Sequence, residues 1–191
     1  MRQQEQSEAR QKALENFILL VLGASNKKIS LLHLEKEVFL LWNFHPLVKD
    51  FIVFIQHYRG PYSKEIEDAI RRPFYLENCW SYSYPKNSED ISGGRVELTE
   101  KGHLQYLKIY QEVIRNEQML PILAGMKMVR EMYDDLSIEE LLLLIYDTYP
   151  EYRKKSNVAD TIDLMKATLA KGLLKRGKID SERYDNLVAG N

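Results

Sequence analysis

Apolar residues recur at helical spacing over most of the chain, and the period changes once, near its middle. Leu14, Phe17, Ile18, Val21 and Leu22 lie three or four apart and predict a first helix over 8–22. Gly23 follows at a position that suits a left-handed stop, and "ASNKK" reads as a turn. Ser30 caps a second helix, "LLHLEKEVFLLW", which is apolar on more than one face and is expected to be the most buried element. Pro46 opens a third predicted helix, "LVKDFIVFIQHY". Gly60-Pro61 breaks it, Ser63 caps "KEIEDAIRR", and Pro73 ends that fourth helix.

The period then becomes two. "CWSYSY" alternates as a strand, "PKNSEDISGG" is turn-rich, and "RVEL" is the returning strand. Cys79, Ser81 and Ser83 share one strand face, and Trp80, Tyr82 and Tyr84 share the other, which is expected to face the core. Thr99 caps a helix through "LQYLKIYQEVI". The remainder is helical. "MLPILAGMKMVREMY" is followed by a capping box, Ser137 with Glu140, that opens "IEELLLLIYDTY". Pro150 closes that helix, "SNVADTIDLMKATLAKG" lies between a Ser156 cap and a Gly172 stop, and "SERYDNLVAG" is a short last helix. The predicted fold class is mainly α with a small antiparallel β-hairpin. A winged-helix-like domain is expected over 1–115, with a helical C-terminal extension packed on it over 116–191.

Composition narrows the function classes. Hydrophobic residues at 45% and charged residues at 29% are those of a soluble globular protein. No segment approaches a membrane span, and the apolar run at the N-terminus is too short and too late for a signal peptide. A single cysteine, Cys79, permits no intramolecular disulfide, and it fits a reducing, cytoplasmic setting. Between Asp134 and Glu151 there are six acids and no Lys or Arg, and a basic block follows from Arg153 to Lys178; two solvated helix faces are the first expectation, with pairing of the blocks, within or between chains, the second.

On a winged-helix map, "SKEIEDAIRR" takes the recognition-helix position and "PKNSEDISGG" the wing. Ile66, Ala69 and Ile70 must face the core, which leaves Lys64, Glu65, Glu67, Asp68, Arg71 and Arg72 outward. Acids dominate the first two turns, where base contacts are made, and they repel phosphate. In the wing, Lys86 and Arg95 are matched by Glu89, Asp90 and Glu97, and the net charge is −1. A DNA-reading protein is therefore the second choice, with Arg59, Lys64, Arg71, Arg72, Lys86 and Arg95 as its candidate phosphate contacts. Gly60, Pro61, Tyr62 and Ser63 read first as a rigid structural corner between two helices. An anion cradle at this helix start ranks below it, because Ser63 and Glu65 already occupy that space.

No catalytic set stands out. His33, His45, His57 and His103 are scattered without ligand spacing, so no metal or other cofactor is expected. His33, inside an apolar helix, is expected to be a satisfied core residue, and Cys79 a buried structural thiol. No phosphate-loop, dinucleotide or nucleophile-elbow motif occurs.

"YRGPYSKEIEDAI", "VELTEKG" and "LSIEELLLLIYDTYPEYRKKS", in that order, resemble segments of a set of prokaryotic and phage proteins related to the SocA-like, or Panacea, antitoxin domain. The resemblance spans Leu31 to Ser156. It implies a non-enzymatic antitoxin or adaptor-like subunit that acts by binding a protein, in a toxin-antitoxin or defence-type system. The tail from Leu173 onward and the long polar N-terminal lead depart from the set. A protein partner is thus the first expectation, nucleic acid the second, and a homo-oligomer is compatible with either.

Overall fold

Because apolar spacing is helical almost throughout, helices dominate. The computed structural model describes residues 2–25, 27–87 and 92–189. In chain order the elements are α1 (Arg2–Gly23), β1 (Ile29–Ser30), α2 (Leu31–Phe44), β2 (Ile55–His57), β3 (Gly60–Tyr62), α3 (Lys64–Arg71), β4 (Trp80–Ser83), β5 (Arg95–Leu98), α4 (Glu100–Val113), α5 (Leu120–Tyr133), α6 (Ile138–Thr148), α7 (Ala159–Lys175) and α8 (Ser181–Ala189). The chain is mainly α with a little antiparallel strand. It divides into two compact units, one of residues 1–54 with 63–134, the other of 55–62 with 135–191. The division expected at 115/116 differs from this one. The buried side of α5, Ile122, Met126 and Val129, belongs to the first unit, where α5 lies against α1 and α2.

In the first unit β5 sits between β1 and β4, with Val96 opposite both Ile29 and Tyr82. The hairpin therefore carries a third strand that the sequence pattern did not reveal, since two residues are too few to show alternation. Val96 is fully buried. Ser30 caps α2 by accepting the His33 N–H at 3.0 Å, and Thr99 caps α4 by accepting the Gly102 N–H at 3.1 Å. Glu15, fully buried on α1, accepts three consecutive backbone N–H groups, from Phe74, Tyr75 and Leu76, at 2.8, 2.7 and 2.8 Å. One carboxylate thereby holds the non-helical link between α3 and β4. The Trp80 indole N–H donates to the Ile70 carbonyl at 3.1 Å and satisfies the last turn of α3.

In the second unit the Ser137–Glu140 capping box is complete. The acidic and basic blocks pair within the chain. Arg176 reaches Glu140 and the Asp135 carbonyl, Lys178 lies 3.3 Å from Asp135, and Arg183 pairs with Asp147. α8 packs on α7, with Leu187 fully buried.

Several expectations are corrected. The third helix is absent. Pro46–Asp50 is a short 3-10 turn, and the chain then extends, with Ile52 and Phe54 buried and Val53 and Ile55 exposed. That segment fits period 3.6 and period 2 alike; its β-branched residues suit the extended form, and pairing of Ile55–His57 with Gly60–Tyr62 selects it. The Gly60-Pro61 corner therefore follows a strand, not a helix. Gly23 ends α1 without a left-handed angle. Its small size is needed instead because a Cβ would come within 2.2 Å of the Tyr106 ring. α7 runs through Gly172 to Lys175 and stops at Gly177 (φ +66°), where Lys178 N–H bonds the Leu173 carbonyl. Ser156 lies outside the cap of that helix. The aromatic strand face is core only at Trp80; Tyr82 is half-buried and Tyr84 exposed.

Gly102 and Gly60 are fixed by close approach as well. A Cβ on Gly102 would lie 1.7 Å from the Cys79 carbonyl oxygen. Gly60 has φ +82°, and a Cβ there would meet Leu142 at 2.8 Å. Gly102→Ala and Gly60→Val are each expected to cost on the order of 1–3 kcal/mol, read as a lower melting temperature. Gly125→Ala, whose nearest neighbour is an ordinary 3.4 Å contact, is expected to leave melting within about 1 kcal/mol of wild type. Equal melting of all three would contradict the close-approach reading.

Candidate functional site

Of the corner residues, Gly60, Pro61 and Tyr62 belong to the second unit and Ser63 to the first. The β2–β3 pair sets Gln56 against Pro61 and His57 against Gly60, and the Tyr62 ring stacks on His57 at 4.5 Å between centroids. The Tyr58 carbonyl accepts the Asn157 N–H at 2.9 Å, and the Tyr146 hydroxyl donates to Ser156 Oγ at 2.6 Å. The "YRGPY" turn and the "YPEYRKKSN" segment thus meet inside one unit. Ser63 stands at the N-cap of α3, but its hydroxyl makes no capping bond; it donates to Glu65 Oε2 at 3.0 Å. The Ser63 backbone N–H bonds Glu35 instead, so the helix start is held by a buried carboxylate from α2. The expected side-chain cap is corrected on that ground.

Of the candidate phosphate contacts, Arg59 lies in the second unit and the other five in the first. Arg71 pairs with Glu67 at 2.7 Å, and its guanidinium lies over the rings of Tyr82 and Tyr84, 5.1 and 5.3 Å from their centroids. Lys64 pairs with Asp68 one turn on. Arg72, Lys86 and Arg95 are exposed, and Arg59 and Lys86 carry interactions of their own within the chain. The wing-tip acids Glu89 and Asp90 lie outside the described residues. Among the described residues no cluster of three or more His, Cys, Asp or Glu has metal-holding geometry. Cys79 is buried, and burial pushes its thiol pKa up, against reactivity.

Sequence reasoning missed two features. The first is a charged seam through the core of the first unit. Glu35, Lys36 and Glu37 are consecutive on α2 and all buried, and Arg130 of α5 is fully buried. Arg130 Nη2 donates to the Lys27 carbonyl at 2.9 Å, and Arg130 Nε lies 3.1 Å from Asp134. His33 Nε2–H donates to the Tyr133 carbonyl at 2.9 Å, so it is a satisfied core residue, and burial pushes its pKa down. Glu37 has Arg130 at 3.6 Å and His33 at 3.8 Å, yet neither carboxylate oxygen makes a hydrogen bond. The approach to Arg130 resembles an ion pair, but desolvation outweighs it and pushes the Glu37 pKa up to about 8. Burial pushes Glu35 up to about 7.

The second missed feature is the surface of α4. Only Gly102 and Ile109 of this helix are buried. Leu104, Leu107 and Ile114 point outward and are 71%, 53% and 43% exposed. Beside them opens an apolar groove of about 510 Å³, lined by Leu20 of α1 and Ala24 just past its end, Tyr106 and Tyr110 of α4, and Leu123 and Met126 of α5. Its walls are mostly apolar, with Tyr106, Tyr110 and Lys127 also in the lining. The signal in the sequence was present, since apolar residues on "LQYLKIYQEVI" occupy two opposite faces of one helix.

No protein-family model matches the chain, and no curated protein matches it.

Glu37 gives a test of the charged seam. Unfolded, its carboxyl titrates near 4.5; folded, near 8. Between those values the folded state keeps a proton that the unfolded state has released, so stability falls as pH rises through the window. Glu35 acts in the same direction and His33 in the opposite one, with Arg130 and Asp134 facing the same space. Glu37→Gln removes only the first contribution. Wild type should therefore lose stability relative to Glu37→Gln between about pH 5 and pH 8, as read by urea unfolding at each pH. A difference independent of pH would contradict the assignment.

Proposed function

We propose that this chain acts by binding a protein, as a non-enzymatic antitoxin or adaptor-like subunit of a prokaryotic toxin-antitoxin or defence-type system in the cytoplasm. The observation that carries the reading is the apolar groove between α1, α4 and α5, with Leu107 and Ile114 exposed along its rim. Contiguous apolar surface of this kind marks sites of association on soluble proteins. The resemblance of three segments to the SocA-like set supports the class of system, and Tyr58 of the first segment meets Ser156 of the third in the second unit. The first unit is read as winged-helix-like, supported by the strand order β1-β5-β4 behind α1, α2 and α3. That same arrangement favours the alternative, a transcriptional regulator on DNA. The engagement of Arg71 and Lys64 with acids of their own helix weighs against it.

A pull-down from the native host with tagged wild type and tagged Leu107→Asp separates the readings. A stoichiometric protein recovered by wild type and lost by Leu107→Asp, with both proteins melting alike, is the expected result. A mobility shift with the protein's own upstream DNA, at two salt concentrations, is expected to show no tight complex. Tight, salt-sensitive binding weakened by Arg71→Ala and Arg72→Ala, with no protein recovered, would replace the proposal with the alternative.

A further inference from the structure

The outward side of α4 carries more than apolar groups. Leu104, Leu107, Gln111 and Ile114 follow one another at spacings of three, four and three, the seam of a helix that packs along another helix. Lys101 and Lys108, seven residues apart, run beside that seam, and Arg115 follows seven further on, just past the end of α4. All three are exposed. Lys101 donates to the Glu77 carbonyl, which leaves its charge unneutralised, and Lys108 and Arg115 form no salt bridge among the described residues. Across the groove stands Lys127 of α5, 3.7 Å from Glu131. Glu112 lies a further step round α4, on the side of the basic row away from the seam. One edge of the apolar seam is thus basic, while the groove-side edge carries His103 and Tyr110, and Glu100 precedes Leu104 by one turn on the seam itself.

This pattern selects among occupants. A second copy docked antiparallel would set the Lys101–Lys108–Arg115 row against itself. Docked parallel, it would set Lys108 against His103 and Arg115 against Tyr110. Neither arrangement sets an acid against the basic row. On the reading that the chain binds a protein, we infer that the partner presents an amphipathic helix with leucine-like residues along one side and acidic residues on the flank that meets the basic row. It lies along α4 with its apolar side in the groove. The seam from Leu104 to Ile114 is about 15 Å long at the rise of a helix, so the partner contributes about three turns.

The test uses the full chain and two synthetic helical peptides of equal length, both with leucine at the seam positions. One carries glutamate and the other lysine at the flanks, and binding is read by fluorescence anisotropy at low and high salt. The glutamate peptide is expected to bind at least about tenfold tighter at low salt, with the advantage shrinking as salt rises. Lys108→Glu with Arg115→Glu should invert the preference at unchanged melting temperature, and Leu107→Asp should abolish binding of both peptides. Equal binding, no binding, or a preference for lysine overturns the inference. So does a wild-type dimer in sedimentation that Leu107→Asp dissociates, which would assign the face to a second copy. A host protein captured through Leu107 but indifferent to the Lys108 and Arg115 reversals leaves protein binding standing and removes only the acidic helix.

Discussion

The first unit depends on how α2 tolerates charge inside its core. Ten residues of this helix are buried, and three of them, Glu35, Lys36 and Glu37, are ionisable neighbours. Three successive residues point in three directions around a helix, so α2 meets a charged requirement on every side. Glu35 is answered by Lys36, 3.5 Å away, and by the Ser63 N–H at the start of α3. Glu37 is answered by Arg130 of α5 and by the proton that burial makes it keep. Removing a partner of one of these buried polar groups leaves it unsatisfied at a cost of about 1–3 kcal/mol. The positions of α3 and α5 around α2 are therefore set by polar demand as well as by apolar area.

The same logic operates on α1. Glu15 is fully buried and gathers three backbone N–H groups of the link before β4. α1 is bound in this way to the α3–β4 link, and it also lies against α4 and α5. Gly23 and Gly102 allow close approach at two points, one to Tyr106 and one to Cys79. A helix seated through so few buried residues keeps most of its circumference outward, and on α4 that circumference includes leucines. The apolar groove is thus a consequence of how the core is filled.

What the sequence revealed follows the range of each physical signal. Local chemistry was readable: the Ser30 and Thr99 caps, the Ser137–Glu140 box and the Pro73 stop all act within four residues. The segment 46–58 misled because its apolar residues satisfy two periods, and only pairing of Ile55–His57 with Gly60–Tyr62 selects the strand. Ser63 misled because its cap position is served by Glu35, distant in sequence. Arg71 reads as a free cation on a helical wheel, and only the hairpin brings Tyr82 and Tyr84 over it. The outward seam of α4 was written in the sequence, yet an apolar residue on a helix is ordinarily assigned to the core.

The central claim is that α4 and the groove beside it are where this protein meets another. Amide hydrogen exchange, measured on the chain alone and in complex with the protein it captures, tests that most directly. The account predicts slowed exchange across Glu100–Val113 and the adjoining part of Leu120–Tyr133, with α3 and the β4–β5 strands unchanged. Slowed exchange confined to Lys64–Arg71 and the β4–β5 strands, with α4 unaffected, would contradict it.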